Sequence, residues 1–218
     1  MNLRSMTLVA LMAMAGVAQA ATISWNQWSS GTAGAITAPT GAVSVTYAGD
    51  SPTFFYPSYP SWAPAGSYAD GSIVANAPTG GIKGLVGGTS TVNTVSFSTP
   101  VVDPVFSIWS LGSPGTPARF EFINATPIFV AGGPSNEYGG KAIVVTGHVV
   151  SGSESNGTIQ FKGVYDHISW TNPAAENWYG FNVGIAAAVP EPQESALALA
   201  GLAMVGLWTR RRGARSGA

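Results

Sequence analysis

Cysteine is missing from all 218 residues of this chain. Its absence excludes disulfides, thiol catalysis and cysteine-based zinc sites, and leaves packing alone to hold the fold. Charge is scarce too: 9% of residues are charged, against roughly 25% in an average soluble protein. The polar surface is therefore built from Ser, Thr, Asn and Gly. Of nine Lys and Arg, Arg4 lies near the start and Arg210, Arg211, Arg212 and Arg215 lie near the end. Residues 21–188 keep only Lys83, Arg119, Lys141 and Lys162 against eight Asp and Glu, a formal charge of −4. A weakly acidic body without a basic stripe argues against nucleic acid as a partner. What remains, 45% hydrophobic residues over this length, suffices for one domain with a substantial core.

Long apolar runs are confined to the two ends. Met6–Val17 follows Arg4 and closes on Ala18-Gln19-Ala20, with small residues at both ends of the triplet. The pattern predicts a secretory signal over residues 1–20, cleaved after Ala20, with export through the Sec translocon and processing by signal peptidase. Near the other end, Val189-Pro190-Glu191-Pro192 precedes the apolar run Ala196–Trp208 and then Thr209-Arg210-Arg211-Arg212. The prolines stop the preceding strand and keep Glu191 extended and accessible to a protease. As a helix the 13-residue run reaches about 20 Å, short of a hydrocarbon core of roughly 30 Å. Spanning would draw on Ser195, Thr209 and snorkelling arginines, or on a thinned bilayer. Trp208 suits the interfacial belt, and Arg210, Arg211 and Arg212 form a membrane stop on the cytoplasmic side, which leaves the body outside.

This three-part tail, residues 189–214 with a basic cluster reaching Arg215, resembles a PEP-CTERM sorting signal. The resemblance implies recognition of Pro190, Glu191 and Pro192 by an exosortase, a membrane-embedded cysteine protease or transpeptidase. It also implies a place among exopolysaccharide systems of Gram-negative bacteria: anchored first in the inner membrane with the body in the periplasm, then delivered to the outer surface or beyond. Gln193-Glu194 departs from the small residues more usual after the motif.

Between the ends no stretch has a capped helical period. Val43, Val45 and Tyr47 alternate with Ser44 and Thr46, and the same period runs through Val95 and Phe97, Phe120 and Phe122, Ile159 and Phe161, Ile168 and Trp170, and Phe181, Val183 and Ile185. Gly, Pro and Asn punctuate these runs at short intervals. Ten or more short strands predict an all-β, antiparallel β-sandwich of jelly-roll type over residues 21–188, flanked by the signal helix and the short C-terminal helix. Val105–Leu111, apolar at nearly every position, reads as a central strand covered on both faces. Ser51–Asp70, rich in Pro and aromatic residues, reads as a long loop or irregular edge whose rings cover the end of the sandwich or face outward. Residues 40–186 resemble an uncharacterised ectodomain found ahead of PEP-CTERM tails, through Phe97–Val101, Pro104–Gly112, Asn156–Phe161, Ile168–Thr171 and Glu176–Phe181. That resemblance implies architecture and no activity.

Catalytic signatures are sparse. There is no Gly-x-Ser-x-Gly, and the two histidines, His148 and His167, have no ligand spacing around them. His167 follows Asp166 within an alternating strand and reads as a solvated residue. Glu121, Glu137, Asp166 and Glu176 are the acids from which a glycosidase pair could be drawn. Asp103 and Glu154 lie in loops that could offer oxygen ligands to calcium but lack acidic neighbours. No cofactor is implied. Trp25, Trp62 and Trp178, beside Asn or Pro in loop-like or strand-end contexts, are the aromatic residues expected to face outward and contact glycan. The expectation is an exported, non-catalytic surface or matrix protein associated with exopolysaccharide or biofilm, with a secreted polysaccharide-active enzyme as the alternative.

Overall fold

The computed structural model describes residues 20–50 and 54–187, together with Gly201. The expected signal segment up to Gln19, Pro190-Glu191-Pro192, the apolar run 196–208 apart from Gly201, and the arginines lie outside the described residues. Among those described, no helix is long and apolar enough to cross a membrane.

The described residues between 20 and 187 contain no α-helix and sixteen strands. They are β1 (Ile23–Trp25), β2 (Gln27–Trp28), β3 (Ala33–Ala38), β4 (Gly41–Ala48), β5 (Phe54–Tyr56), β6 (Ile82–Leu85), β7 (Asn93–Val102) and β8 (Val105–Leu111). They continue with β9 (Ala118–Phe122), β10 (Pro127–Gly133), β11 (Lys141–Ala142), β12 (Val144–Thr146), β13 (Val149–Gly152), β14 (Ser155–Phe161), β15 (Val164–Thr171) and β16 (Tyr179–Ala186). One sheet runs β10-β14-β8-β16-β6-β5, with β1 on β16 and β11 on β14; the other runs β12-β13-β9-β15-β7-β4-β3-β2. Every strand pairing is antiparallel except the short β11–β14 contact.

The central pairings are nested: β6 with β16, β7 with β15, β8 with β14, and β9 with β13. Successive pairs fall alternately in the first and second sheet, ending with β9 and β13 in the second. Inward residues of both sheets meet in one core, where Phe106, Phe120, Phe122, Phe161, Trp170 and Phe181 make stacked, tilted and edge-to-face contacts. The expectation of an all-β sandwich holds.

The two sheets differ on their outer faces. In the second, β4 alternates cleanly, with Val43, Val45 and Tyr47 buried and Ser44 and Thr46 exposed. Its far side meets water, and the sequence period reports that directly. In the first sheet β8, β14 and β6 are buried at every position, and β16 at all but its last residue. Val105–Leu111 is thus the doubly covered strand that its composition predicts, with β14 and β16 on either side.

Residues 57–81 cover that outer face, which corrects the expectation that the Pro-rich aromatic segment caps the end of the sandwich or turns outward. Trp62 and Tyr68 pack with Ile82 and Trp109, while Val74 joins Trp25, Val105 and Val130. Thr158 on β14 shows why the face accepts a loop: its hydroxyl donates to Tyr68 O at 2.7 Å and bonds Ser107 Oγ at 2.6 Å. Small and polar residues on the outer face satisfy the backbone of the segment above them. Phe54–Tyr56, just ahead of this segment, pairs as an edge strand on β6, and Val74 within the segment forms an isolated bridge with Ala21.

Candidate functional site

β8 breaks its regularity where the site begins. Ser155 pairs with Leu111 and Gly157 with Ile108, so Trp109 and Ser110 together face Asn156, and the extra residue forms a bulge. Ser110 takes φ of +56°. Buried Asn156 answers the bulge: its Oδ1 accepts from Ser110 N–H at 2.8 Å, and its Nδ2 donates to Gly133 O at 3.3 Å and Gly139 O at 3.1 Å. The last bond ties the Ser135–Gly139 turn to β14. Gly140 ends that turn at φ of +87°. A Cβ there would lie 1.6 Å from Glu154 O, so only glycine fits.

The turn presents Glu137 and Tyr138. Glu137 Oε2 accepts from Trp109 Nε1–H at 3.2 Å, and Oε1 accepts from Ser61 N–H at 2.8 Å. Asn136 N–H donates to Ala63 O at 2.7 Å, so the turn also clamps the segment 57–81. Burial works against ionisation of Glu137, but the hydrogen bonds from Ser61 and Trp109 outweigh it and hold the carboxyl below its ordinary range.

Four further rings gather around Trp109. Trp178 lies 4.9 Å from it between centroids, Tyr59 5.3 Å and Tyr138 5.4 Å, and Tyr56 joins through Trp178 at 5.5 Å. Trp109 is buried, Tyr56 and Tyr138 are 38% and 53% exposed, and Tyr59 and Trp178 are half-buried. Trp178 is inclined by 40–42° to Trp109, Tyr56 and Tyr59. The result is a faceted aromatic surface with one buried ring as its floor. Burial pushes the Tyr59 phenol up, and Tyr138 and Glu137 add to the shift.

Two more acids border the surface. Ser110 Oγ donates to Glu154 Oε1 at 2.5 Å. Glu176 precedes Trp178 by two residues. Burial pushes its carboxyl up to about 7, with the charge of Glu154 adding and the N–H groups of Trp178, Asn177 and Gly112 opposing. Its Oε2 is buried with no hydrogen-bond partner. Aromatic faces accept the apolar CH faces of sugars, and carboxylates beside them accept from hydroxyl or ammonium groups.

The structure places one of the three expected glycan-contact residues here. Trp178 is a wall of the surface. Trp25 and Trp62, expected to face outward, are instead 5% and 3% exposed. Trp25 donates through Nε1 to Asn76 O at 3.2 Å, and Trp62 donates to Gly80 O at 2.6 Å and meets Tyr68 edge-on. Both are drawn inward because residues 57–81 lie over this face: Trp25 on β1 packs with Val74 and Val105, and Trp62 with Tyr68, Ile82 and Trp109.

Of the candidate acids, Glu137 reaches the indole of Trp109 and the carboxyl of Glu176 is held by the backbone N–H of Trp178, whereas Glu121 pairs with Arg119 at 2.6 Å and Asp166 with His167 at 2.6 Å, both on the surface. Asp103 is occupied in a turn, accepting from Gly163 N–H and Lys162 Nζ at 2.8 Å each. Among the described residues no group of three or more His, Asp or Glu could hold a metal ion. Tyr138 escaped the sequence reading; its signal is an aromatic residue inside the polar, Gly-closed turn Ser135–Gly140. Cavities of about 650 and 430 Å³ lie elsewhere, the first between Val43, Ile73, Val101 and Ile185, the second beside His148, Lys162 and Tyr165.

Fold and site together define a β-sandwich bearing an aromatic surface edged by carboxylates. No family model matches the chain, and no curated protein or solved structure matches it.

Proposed function

We propose that this is an exported bacterial surface or matrix protein whose sandwich binds glycan without cleaving it, and whose tail is a PEP-CTERM sorting signal read by an exosortase-like protease. The observation that carries the binding role is the exposed cluster of Tyr56, Tyr59, Tyr138 and Trp178 over buried Trp109. The sorting role rests on Pro190-Glu191-Pro192, the apolar run 196–208 taken as a short helix, and Arg210-Arg211-Arg212. The nested pairing of β6 to β9 with β16 to β13 supports a jelly roll, a long hairpin wound upon itself.

Titration of the secreted protein with soluble oligosaccharides, followed by tryptophan fluorescence, tests the binding role. Trp178→Ala and Tyr138→Ala should each weaken binding about tenfold, the loss of one ring–sugar contact of ~1.4 kcal/mol. Their melting temperatures should stay near the wild type, since both side chains are partly exposed. Unchanged affinity in both variants would move the glycan contact away from this surface.

One observation favours the enzymatic alternative. Glu176, raised to about 7 beside Glu154, has the character of a general acid next to a second carboxylate. Release of reducing ends from a polysaccharide by the wild type, abolished in Glu176→Gln, would replace the binding role with hydrolysis.

A further inference from the structure

The chemistry bordering the aromatic surface is of one sign. Glu137 bonds the indole of Trp109, Glu154 bonds Ser110 next to it, and Glu176 lies two residues from Trp178. Of the body's cations, Lys83 is buried in the core and Arg119 and Lys162 are held by Glu121 and Asp103, while Lys141 stands exposed on β11, its backbone N–H donating to Glu154 O at 3.0 Å.

The three acids are also unequally engaged. Both oxygens of Glu137 already accept hydrogen bonds, one oxygen of Glu154 does, and Glu176 Oε2 has no partner although it is buried. A buried carboxylate oxygen without a donor is costly, and a ligand that brings a donor, above all a charged one, removes that cost.

Resting on the glycan-binding role above, we propose that this surface selects amine-bearing glycans, the N-deacetylated amino-sugar polymers, with the sugar on the Trp178 facets and its ammonium paired with Glu176 and Glu154. An ammonium gains twice here, from the carboxylates and from the negative faces of the surrounding rings. A neutral N-acetyl sugar keeps the ring contact but gains no charge pairing. A polyuronate meets like charge and is repelled. The reluctance of Glu176 to ionise beside Glu154 fits the same picture, since a bound cation offsets both the burial and the repulsion.

The test uses the secreted protein and four probes at pH 7: a glucosamine oligomer, its N-acetylated counterpart, a neutral glucan oligomer and an oligouronate. The glucosamine oligomer should bind about tenfold more tightly than its N-acetylated form, and 0.5 M salt should narrow the gap by screening. Glu176→Gln and Glu154→Gln should bring the ratio of the two affinities towards one, while Trp178→Ala should weaken both ligands together. Circular dichroism of each variant reports folding independently of binding. Equal binding of glucosamine and N-acetylglucosamine oligomers, or a preference for the uronate, overturns the selectivity and leaves the glycan-binding role standing. Failure of all four probes to bind overturns both.

Discussion

Lys83 carries its amine into the space between the sheets, where it donates to Gly84 O at 3.0 Å and lies 4.2 Å from the centre of the Tyr47 ring. Burial pulls its pKa down from 10.5 to about 7, and the charge of Asp50 only partly opposes this. Between those values the unfolded chain holds a proton that the folded chain has shed, so stability rises with pH there, by at most ~1.4 kcal/mol per pH unit. Below about 7 both states are charged and the full cost is present. Glu176 acts in the opposite sense lower down: between 4.5 and about 7 the folded carboxyl keeps a proton that the unfolded chain loses, so its contribution falls as pH rises. Above about 10 the buried phenols of Tyr47, Tyr68 and Tyr179, all pushed up chiefly by burial, lower stability again. Urea unfolding at pH 6 to 10 should therefore show a rise from 7 towards 10. Lys83→Met should flatten that rise and be more stable than wild type at pH 7. Parallel profiles for the two proteins would mean that another group drives the dependence. None of this was legible in the sequence, because Lys83 is buried by the pairing of β6 with β5 and β16, the latter far along the chain.

At the scale of elements, β8 decides both the core and the site. Its inward Phe106 and Ile108 belong to the inter-sheet core, while outward Trp109 is the floor of the aromatic surface. Ile108→Asp would bury an unpaired charge in a strand covered on both faces, a loss of several kcal/mol and comparable with the whole folding free energy. Val102, 63% exposed at the end of β7, is the matched control: Val102→Asp should change stability by no more than ~0.5 kcal/mol. A secreted Ile108→Asp protein that melts like Val102→Asp would contradict the buried position of β8. Strand β8 was legible because a doubly covered strand is apolar throughout. Its bulge at Trp109-Ser110 was not, since it arises from the register with Asn156 on β14, 46 residues away.

For the whole molecule, the proposed sorting role requires that anchoring and recognition separate. Deleting residues 196–218 removes the apolar run and its arginine stop, so the protein should be released unprocessed. Glu191→Ala leaves hydrophobicity and the stop intact, so the protein should stay in the membrane with its tail uncleaved. Mass spectrometry of both termini checks each outcome and should find Ala21 at the start of the mature chain. Glu191→Ala protein processed at the normal rate would make the motif incidental. The strand-rich class, the inward residues of the second sheet, the central place of Val105–Leu111 and the export and sorting expectations all follow from the sequence by itself, because each is encoded in local periodicity, composition or contiguous motifs. Only the tertiary structure decided which aromatic residues face outward. Trp25 and Trp62 turn inward and Tyr138 outward because residues 57–81 lie across the first sheet, and the Ser135–Gly139 turn is pinned to it by Asn156. Those contacts join segments far apart in the chain, so no local pattern carries them. For the same reason, the gathering of Glu137, Glu154 and Glu176 around one tryptophan pair becomes visible only once the strands are in register.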